Sequence, residues 1–277
     1  MDWLTEDKIP IGKWAKYFVD FLTDNGAWFF DGLATGLEAF IQAILFLLQF
    51  PHPLVITGLA VALAWYLRRS AGFSIFVLLG LLLIINQGYW EETTQTLALV
   101  LASTAVCMIA GIPIGIYAAR KPWFFAGIRP VLDLMQTIPT FVYLIPALIL
   151  FGLGMVPGLI ATVIFALPAP IRLTQLGISS TPPDLKEAGV AFGGSSWQVL
   201  WKIEIPYALP QIRAGLTQTI MLSLSMVVIA ALVGADGLGV PTLRALNQVN
   251  IAKGFEVGVA IVVVAIILDR LIRASED

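Results

Sequence analysis

The chain reads ISSTPPDLKEAGVAFGGSSWQVLWKIEIPYALP from Ile178 to Pro210, and this stretch is the long polar interruption in its apolar second half. It opens with a helix start signal. The run from Thr181 to Asp184 offers a threonine as N-cap, proline at the first helical position and a carboxylate in the first turn. We therefore predict that a short helix begins immediately after Thr181.

The same stretch carries signals for the end of that helix and for a second one. Gly193-Gly194 is typical of a helix C-terminus, because glycine adopts the left-handed conformation that ends many helices. Ser195 followed by Gln198 has the pattern of a capping box. The second helix is predicted from Trp197 to Ile203, with Pro206 ending it. The stretch thus predicts two short helices joined by a glycine corner.

The composition is that of a membrane protein. Of the 277 residues, 58% are hydrophobic and 12% are charged, and the mean hydropathy is +0.89. A soluble domain is usually about one quarter charged. The single cysteine, Cys107, and the single histidine, His52, exclude a disulfide framework and a multi-histidine metal site. We expect an all-α integral membrane protein.

Seven apolar segments are candidates to cross a bilayer, which takes about 20 helical residues, although the first two are short. They are Leu54 to Leu67, Phe73 to Gln87, Leu97 to Ala119, Val131 to Gly152, Leu159 to Gly177, Ile212 to Val233 and Phe255 to Leu271. We predict that residues 54–277 form one transmembrane domain.

Residues 1–53 are predicted to form a tail on the outer side of the membrane. From Leu33 to Phe50, apolar residues recur at helical spacing, while Glu38, Gln42 and Gln49 take the other side. This pattern predicts an amphipathic helix that lies in the membrane interface, and a short extra span is the alternative.

Basic residues near the span ends indicate the orientation, because they prefer the cytoplasmic side. With the N-terminus outside and the C-terminus inside, the following residues all face the cytoplasm: Arg68, Arg69, Arg120, Lys121, Arg129, Lys186, Lys202, Arg270 and Arg273. The opposite loops, residues 86–95 and 153–158, contain no basic residue. We expect a multi-pass protein of a bacterial cytoplasmic membrane, with residues 178–210 in the cytoplasm.

The sequence lacks the motifs of ATP hydrolysis and of nucleophilic catalysis. Its Gly12-Lys13 pair has no glycine five residues earlier, as a phosphate-binding loop requires, and is followed by Trp14. His52 lies in no Gly-x-Ser-x-Gly setting. We expect no enzymatic activity, no bound metal and no bound cofactor in this chain.

The fourth apolar segment carries the candidates for a translocation path. It begins DLMQTIPTFVYLIP from Asp133 to Pro146, which combines polar side chains, two prolines and two aromatic rings. Proline breaks persist in membranes where neighbouring helices or a water-lined cavity satisfy the freed backbone groups. Aromatic faces are the natural contacts of a cation that has no hydrogen-bond donor, such as a quaternary ammonium. The candidates are Gln136, Thr137, Pro139, Phe141 and Tyr143, and ordinary aromatic packing is the alternative.

The polar stretch from Ile178 to Pro210 resembles the EAA loop of ABC importer permeases, whose pattern is Glu-Ala-Ala, three residues, Gly, nine residues, Ile, one residue, Leu-Pro. The corresponding residues here are Glu187-Ala188-Gly189, Gly193, Ile203 and Ile205-Pro206. Gly189 stands at the position of the second alanine, and Ile205 stands at the position of the leucine. The resemblance implies a cytoplasmic helix that fits a groove on a separate ATPase subunit, where small residues permit close approach. A polar connection between two spans is the alternative. The implied ATPase-coupling residues are Asp184, Glu187, Ala188, Gly189, Gly193, Ile203 and Pro206.

Longer runs are similar to the permease subunits of glycine betaine, proline betaine and choline ABC importers. They are residues 133–146, 168–174, 222–230 and 266–270. This resemblance implies the type I permease fold, a permease homodimer, a cytoplasmic ATPase subunit that uses the ATP, and an extracytoplasmic substrate-binding protein. It implies import of choline, glycine betaine or proline betaine, for osmoprotection or nutrition.

Other functions would make different demands on the sequence. An importer for amino acids would share the loop and the fold. An ion-coupled secondary transporter would need acidic residues near the bilayer midplane. Asp133, Arg172, Arg213 and Asp269 instead lie near the predicted cytoplasmic ends, where local ion pairs can satisfy them. A membrane scaffold without transport would need neither the proline breaks nor the loop.

Overall fold

The computed structural model describes residues 10–273, and every regular element in that range is helical. The start of the predicted outer tail, residues 1–9, and the C-terminal residues 274–277 lie outside the described residues. A π-helical turn spans Leu200–Glu204, and a 3₁₀ turn spans Ala231–Val233. The α-helices are α1 (Ile11–Gln49), α2 (Pro53–Arg68), α3 (Ala71–Asn86), α4 (Trp90–Arg120), α5 (Pro122–Thr137), α6 (Thr140–Phe151), α7 (Met155–Ala166), α8 (Pro168–Ser179), α9 (Pro183–Ala191), α10 (Ser196–Val199), α11 (Ile205–Ala230), α12 (Gly239–Asn247) and α13 (Ile251–Arg273).

Helix α8 packs against both α4 and α11, and glycines bring these helices to backbone contact. A Cβ atom at Gly115 of α4 would lie 2.7 Å from the carbonyl oxygen of Ile171, and one at Gly177 of α8 would lie 2.9 Å from the side chain of Ala208. Close packing at small residues is a main source of helix association in membranes. These three helices therefore form the tightly packed centre to which the loop at residues 178–210 is attached.

Five helices in the described range are long and apolar enough to cross a membrane. They are α1, α4, the joined helices α7 and α8, the continuous helix at residues 196–233, and α13. The pair α5 and α6 makes a sixth if its two halves count as one span. Helices α2 and α3 confirm the first two predicted segments as apolar helices, and at 16 residues each they fall short of the usual span length.

The N-terminal helix is longer than the sequence predicted. It begins at Ile11 rather than at Leu33 and continues without interruption to Gln49. Its second half packs into the bundle through Ile41, which is fully buried in an apolar cluster with Leu99 of α4. By length and composition α1 matches a membrane span, which is the alternative to an interfacial helix that the sequence left open.

The apolar segment from Val131 to Gly152 is a broken helix, as its prolines indicated. The chain bends by 95° between α5 and α6. The bend falls at Ile138, whose extended backbone (φ −65°, ψ 130°) is the conformation expected of a residue before proline. Pro139 then starts a new helix without an N–H group to continue the old one. Pro146, in contrast, lies inside α6 and does not interrupt it.

Candidate functional site: the loop between α8 and α11

Helix α9 begins close to the predicted position but with a different cap. Its first residue is Pro183 and its N-cap is Pro182, whose carbonyl oxygen accepts a hydrogen bond from the Leu185 amide at 3.2 Å. The prediction that Thr181 is the N-cap is wrong, because the helix starts one residue later than expected. The Thr181 hydroxyl has no hydrogen-bond partner among the described residues. Asp184 lies in the first turn as predicted, where a carboxylate interacts favourably with the helix dipole.

The glycine corner and the start of the second helix are confirmed. Gly193 has a φ of 79°, in the left-handed region, and the Gly194 amide donates to the carbonyl oxygen of Gly189 at 3.0 Å. The Ser195 amide donates to Oε1 of Gln198 at 2.8 Å, and the Gln198 amide donates to Oγ of Ser195 at 3.3 Å. Both halves of the predicted capping box are therefore present.

The glycines of the loop serve packing inside the chain. A Cβ atom at Gly189 would clash with the end of the Ile203 side chain and lie 3.2 Å from Cγ2 of Val199, so α9 lies directly on the second helix. A Cβ atom at Gly194 would lie 2.6 Å from the Gly189 carbonyl oxygen. The structure thus gives these glycines an intrachain reason, beside the expected approach of another protein. Ala188, in contrast, is exposed.

The second helix of the loop continues into the membrane span. It begins at Ser196 and passes through the π turn into α11, so that residues 196–233 form one helix of 38 residues. The prediction that this helix ends at Pro206 is wrong. The π turn, in which the Ile205 amide donates to the Leu200 carbonyl oxygen, widens the helix just before the proline. This accommodates a residue that has no N–H and whose ring would clash with the carbonyl one turn earlier.

The exposed face of the loop carries acidic and large aromatic side chains. Asp184 and Glu187 are exposed, and within residues 10–273 Glu187 has no ion-pair partner. Phe192 is 94% exposed at the end of α9, and the rings of Trp197 and Trp201 form an edge-to-face pair with centroids 5.6 Å apart. Large exposed apolar side chains on a polar loop are candidates for a contact surface. Sequence reasoning missed these three rings, although aromatic residues in a polar loop are a visible signal.

A buried ion cluster was also missed. Glu204, the last residue of the π turn, is 6% exposed, and its Oε2 lies 3.0 Å from Nη2 of Arg120. Its Oε1 lies 3.6 Å from Nζ of Lys186. The same Nη2 of Arg120 donates to the carbonyl oxygen of Ser196 at 3.0 Å. The available signal was a carboxylate in the apolar run WKIEIP, since a buried charge needs a partner.

The candidate residues of the translocation path lie in different elements and differ in exposure. Gln136 and Thr137 end α5, and Pro139 lies in the bend. Phe141 is 57% exposed, whereas Tyr143 is partly buried against an apolar cluster formed with α7 and α11. Positions two apart on an α-helix differ by about 200° of rotation. The two rings therefore face opposite sides of α6.

Ionisable residues near the span ends pair with neighbours. Arg172 of α8 lies 2.5 Å from Asp133 of α5, and Arg273 lies 2.8 Å from Asp269 one turn earlier in α13. Both pairs are partly exposed, and such pairs contribute little to stability. These two acids are thus satisfied by the local ion pairs that the sequence led us to expect.

The chain has close relatives among characterised membrane proteins. It is 48% identical over 264 residues to the glycine betaine transport system permease protein OpuAB of Bacillus subtilis, covering 95% of this chain and 93% of the relative. It is 42% identical over 267 residues to the glycine betaine/proline betaine transport system permease protein ProW of Escherichia coli, covering 96% and 75% respectively.

Among solved structures, the inward-facing MetNI methionine ABC transporter matches with a TM-score of 0.60 at 23% identity, covering 68% of this chain and 95% of that chain. This likeness concerns the fold, and it confirms the predicted type I permease fold. The family model described as binding-protein-dependent transport system inner membrane component matches residues 111–277, which include the loop, the bent pair and the last three helices. The chain therefore belongs to the family of binding-protein-dependent transport system inner membrane components.

Proposed function

We propose that this chain is the transmembrane permease subunit of an ATP-driven importer for quaternary ammonium compounds such as glycine betaine, proline betaine or choline. The observation that carries the proposal is the 48% identity to a glycine betaine permease, which extends over 95% of the chain. In this role the chain conducts the solute, and a separate ATPase subunit binds and hydrolyses the ATP.

The loop supplies the docking surface for that ATPase subunit. The exposed carboxylate of Glu187 is placed to meet a basic side chain of the partner, together with Asp184 and Ala188 on the same short helix. Phe192 is placed to enter an apolar pocket, because a large exposed ring is the kind of anchor that dominates many interfaces. The contact of Gly189 with Ile203 holds α9 on the spanning helix, so a displacement of α9 moves that helix too.

The assembly we propose contains two copies of this chain, two ATPase subunits and an extracytoplasmic substrate-binding protein. The N-terminus lies outside, with α1 along the outer face of the membrane rather than across it, and the C-terminus lies in the cytoplasm. The distribution of basic residues supports this orientation, since Arg120, Lys186 and Lys202 all lie on or beside the docking loop. The substrate-binding protein then delivers the solute at the opposite face, near residues 86–95 and 153–158.

Phe141 is the aromatic side chain available to a path between two copies of the chain, because its ring points away from its own bundle. Tyr143 packs behind it and fixes the orientation of α6. Gln136, Thr137 and the backbone freed at Pro139 supply polar groups at the bend. A contact between a quaternary ammonium and one aromatic face contributes about 0.5–2 kcal/mol.

The test is uptake into vesicles that contain this chain with its ATPase subunit and binding protein. We expect ATP-dependent uptake of labelled glycine betaine or choline, little uptake of labelled methionine, and loss of uptake with Glu187→Gln. Asp24→Asn, an equal change at an exposed acid of α1, should leave uptake unchanged. Uptake of methionine alone would overturn the proposed substrate. Uptake without the ATPase subunit would favour an ion-coupled transporter instead.

A further inference from the structure

The carboxylate of Glu204 lies where three parts of the structure meet. Arg120 is the last residue of α4, which packs against α8 in the centre of the bundle. Lys186 belongs to α9, the proposed docking helix. Ser196, whose carbonyl oxygen accepts from Arg120, begins the long helix that enters the membrane. Through one buried acid, the docking helix is therefore linked to two spanning helices.

The three charged side chains differ in burial and in distance. The side chain of Glu204 is 8% exposed, whereas those of Arg120 and Lys186 are 35% and 34% exposed. A buried carboxylate requires a close cation, and Arg120 at hydrogen-bond distance is its main partner. Lys186 at 3.6 Å adds a second positive charge from the docking helix. The directional bond to a guanidinium fixes geometry as well as charge.

We propose that the Arg120–Glu204–Lys186 ion cluster is a clamp that transfers a displacement of the docking helix α9 to α4. This inference rests on the proposed function, because it requires an ATPase subunit that moves α9. Without the clamp, α9 remains packed on the long helix through Gly189 and Ile203 but has no ionic link to α4. With the clamp, α9 and the end of α4 move together. Glu204 is thus a positioning residue, since it acts through α4 and contacts no solute.

Apolar contacts in the same region complete the link but do not replace it. Leu200 of the π turn belongs to a buried cluster against which Ile116 and Ala119 of α4 pack. Apolar contacts are non-directional, so these surfaces can slide while they stay buried. The hydrogen-bonded ion pair between Arg120 and Glu204 is directional, so it resists such sliding. Moreover, Glu204 occupies the last position of a π turn, a feature that is frequent at functional sites.

The experiment compares the amount of solute transported per ATP hydrolysed in vesicles that contain the complete importer. We expect Glu204→Gln to lower this ratio by roughly 2- to 30-fold, while the ATPase subunit still copurifies with the chain. Arg120→Gln should lower it similarly, and the double variant should be no worse than either single variant, because both break one interaction. Arg120→Lys, which keeps the charge but loses the planar guanidinium, should give a ratio between those of the wild type and Arg120→Gln.

Asp269→Asn is the matched control, because it removes an equal charge from an ion pair at the end of α13, and it should leave the ratio unchanged. A wild-type ratio in Glu204→Gln would overturn the clamp, and so would losses that simply add in the double variant. If Glu204→Gln fails to assemble, Arg120→Gln is judged by the same ratio. Failure of the wild-type importer to transport with ATP would instead overturn the proposed function.

Discussion

The docking loop and the bent pair α5–α6 are both irregular, yet their irregular residues have different partners. In the loop, Gly189, Gly194 and Ser195 each contact a residue of the same loop. In α6, Phe141 and Ile145 are exposed on the side that faces away from the bundle. Contacts within the chain thus fix the conformation of the loop, whereas one face of α6 is left exposed by the described part of the chain. The following substitutions test that distinction.

The largest effect is expected at Phe192, the most exposed aromatic side chain of the loop. Phe192→Ala should weaken binding of the ATPase subunit by about 2 kcal/mol, or roughly 30-fold in Kd, because it removes an aromatic anchor from the interface. Titration of the ATPase subunit onto the permease in detergent or nanodiscs measures this. Leu153→Ala, at a similarly exposed apolar residue on the opposite loop, is the control. Equal affinities for both variants would remove Phe192 from the interface.

The next effect tests the intrachain role of the glycines. Gly194→Ala should destabilise the loop by about 1–2 kcal/mol, because its Cβ would press against the fixed Gly189 carbonyl oxygen. Gly127→Ala, at a helical glycine with open space around it, should have little effect. Protease sensitivity of the loop and copurification of the ATPase subunit report the difference. A Gly194→Ala loop that resists protease as the wild type does would contradict the packing described here.

A smaller effect is expected at the bent pair. Phe141→Ala should lower transport efficiency about 2- to 30-fold, the equivalent of one cation–π contact, with no loss of thermal stability, because the ring is exposed. Uptake kinetics and thermal unfolding of the same preparation separate these quantities. Lower stability with unchanged transport would mean that the ring packs against a second chain rather than against the solute.

The smallest effect is expected at Tyr143, whose hydroxyl is buried without a hydrogen-bond partner among the described residues. Tyr143→Phe removes that unsatisfied group and should stabilise the chain by up to about 1 kcal/mol, with transport unchanged. Thermal unfolding of the two proteins checks the sign. A clear loss of transport in Tyr143→Phe would place the hydroxyl in contact with the solute and join it to Phe141 as a path residue.

Local sequence signals predicted the corner of the loop because its residues act within one turn of helix. Gly193, Ser195 and Gln198 each satisfy a backbone group close to themselves. Pro206 was mispredicted because the helix continues through a π turn in the residues before it, and no pattern of side chains announces such a rearrangement. The same limit applies to Pro139 and Pro146, of which only the first interrupts a helix.

Ion pairs between residues far apart in the chain could not be predicted from the sequence. Arg120 and Glu204 are separated by 84 residues, and one sequence without relatives carries no signal that pairs them. The start of α1 was placed too late because charged residues among its first turns mask the helical period. By contrast, the all-helical membrane fold followed from composition and segment length, which depend on every residue rather than on a single contact.

The continuous helix at residues 196–233 joins the docking loop to the opposite face of the bundle. With 38 residues it is roughly 57 Å long at 1.5 Å per residue. At its far end, the Val233 carbonyl oxygen accepts a hydrogen bond from the Gly154 amide at 3.0 Å, just before α7. A lever of this length turns a tilt of about 5° at one end into a shift of roughly 5 Å at the other. A tilt of a few degrees at the loop is therefore enough to move the far end of this helix, at Val233, by about the width of a methylated ammonium group.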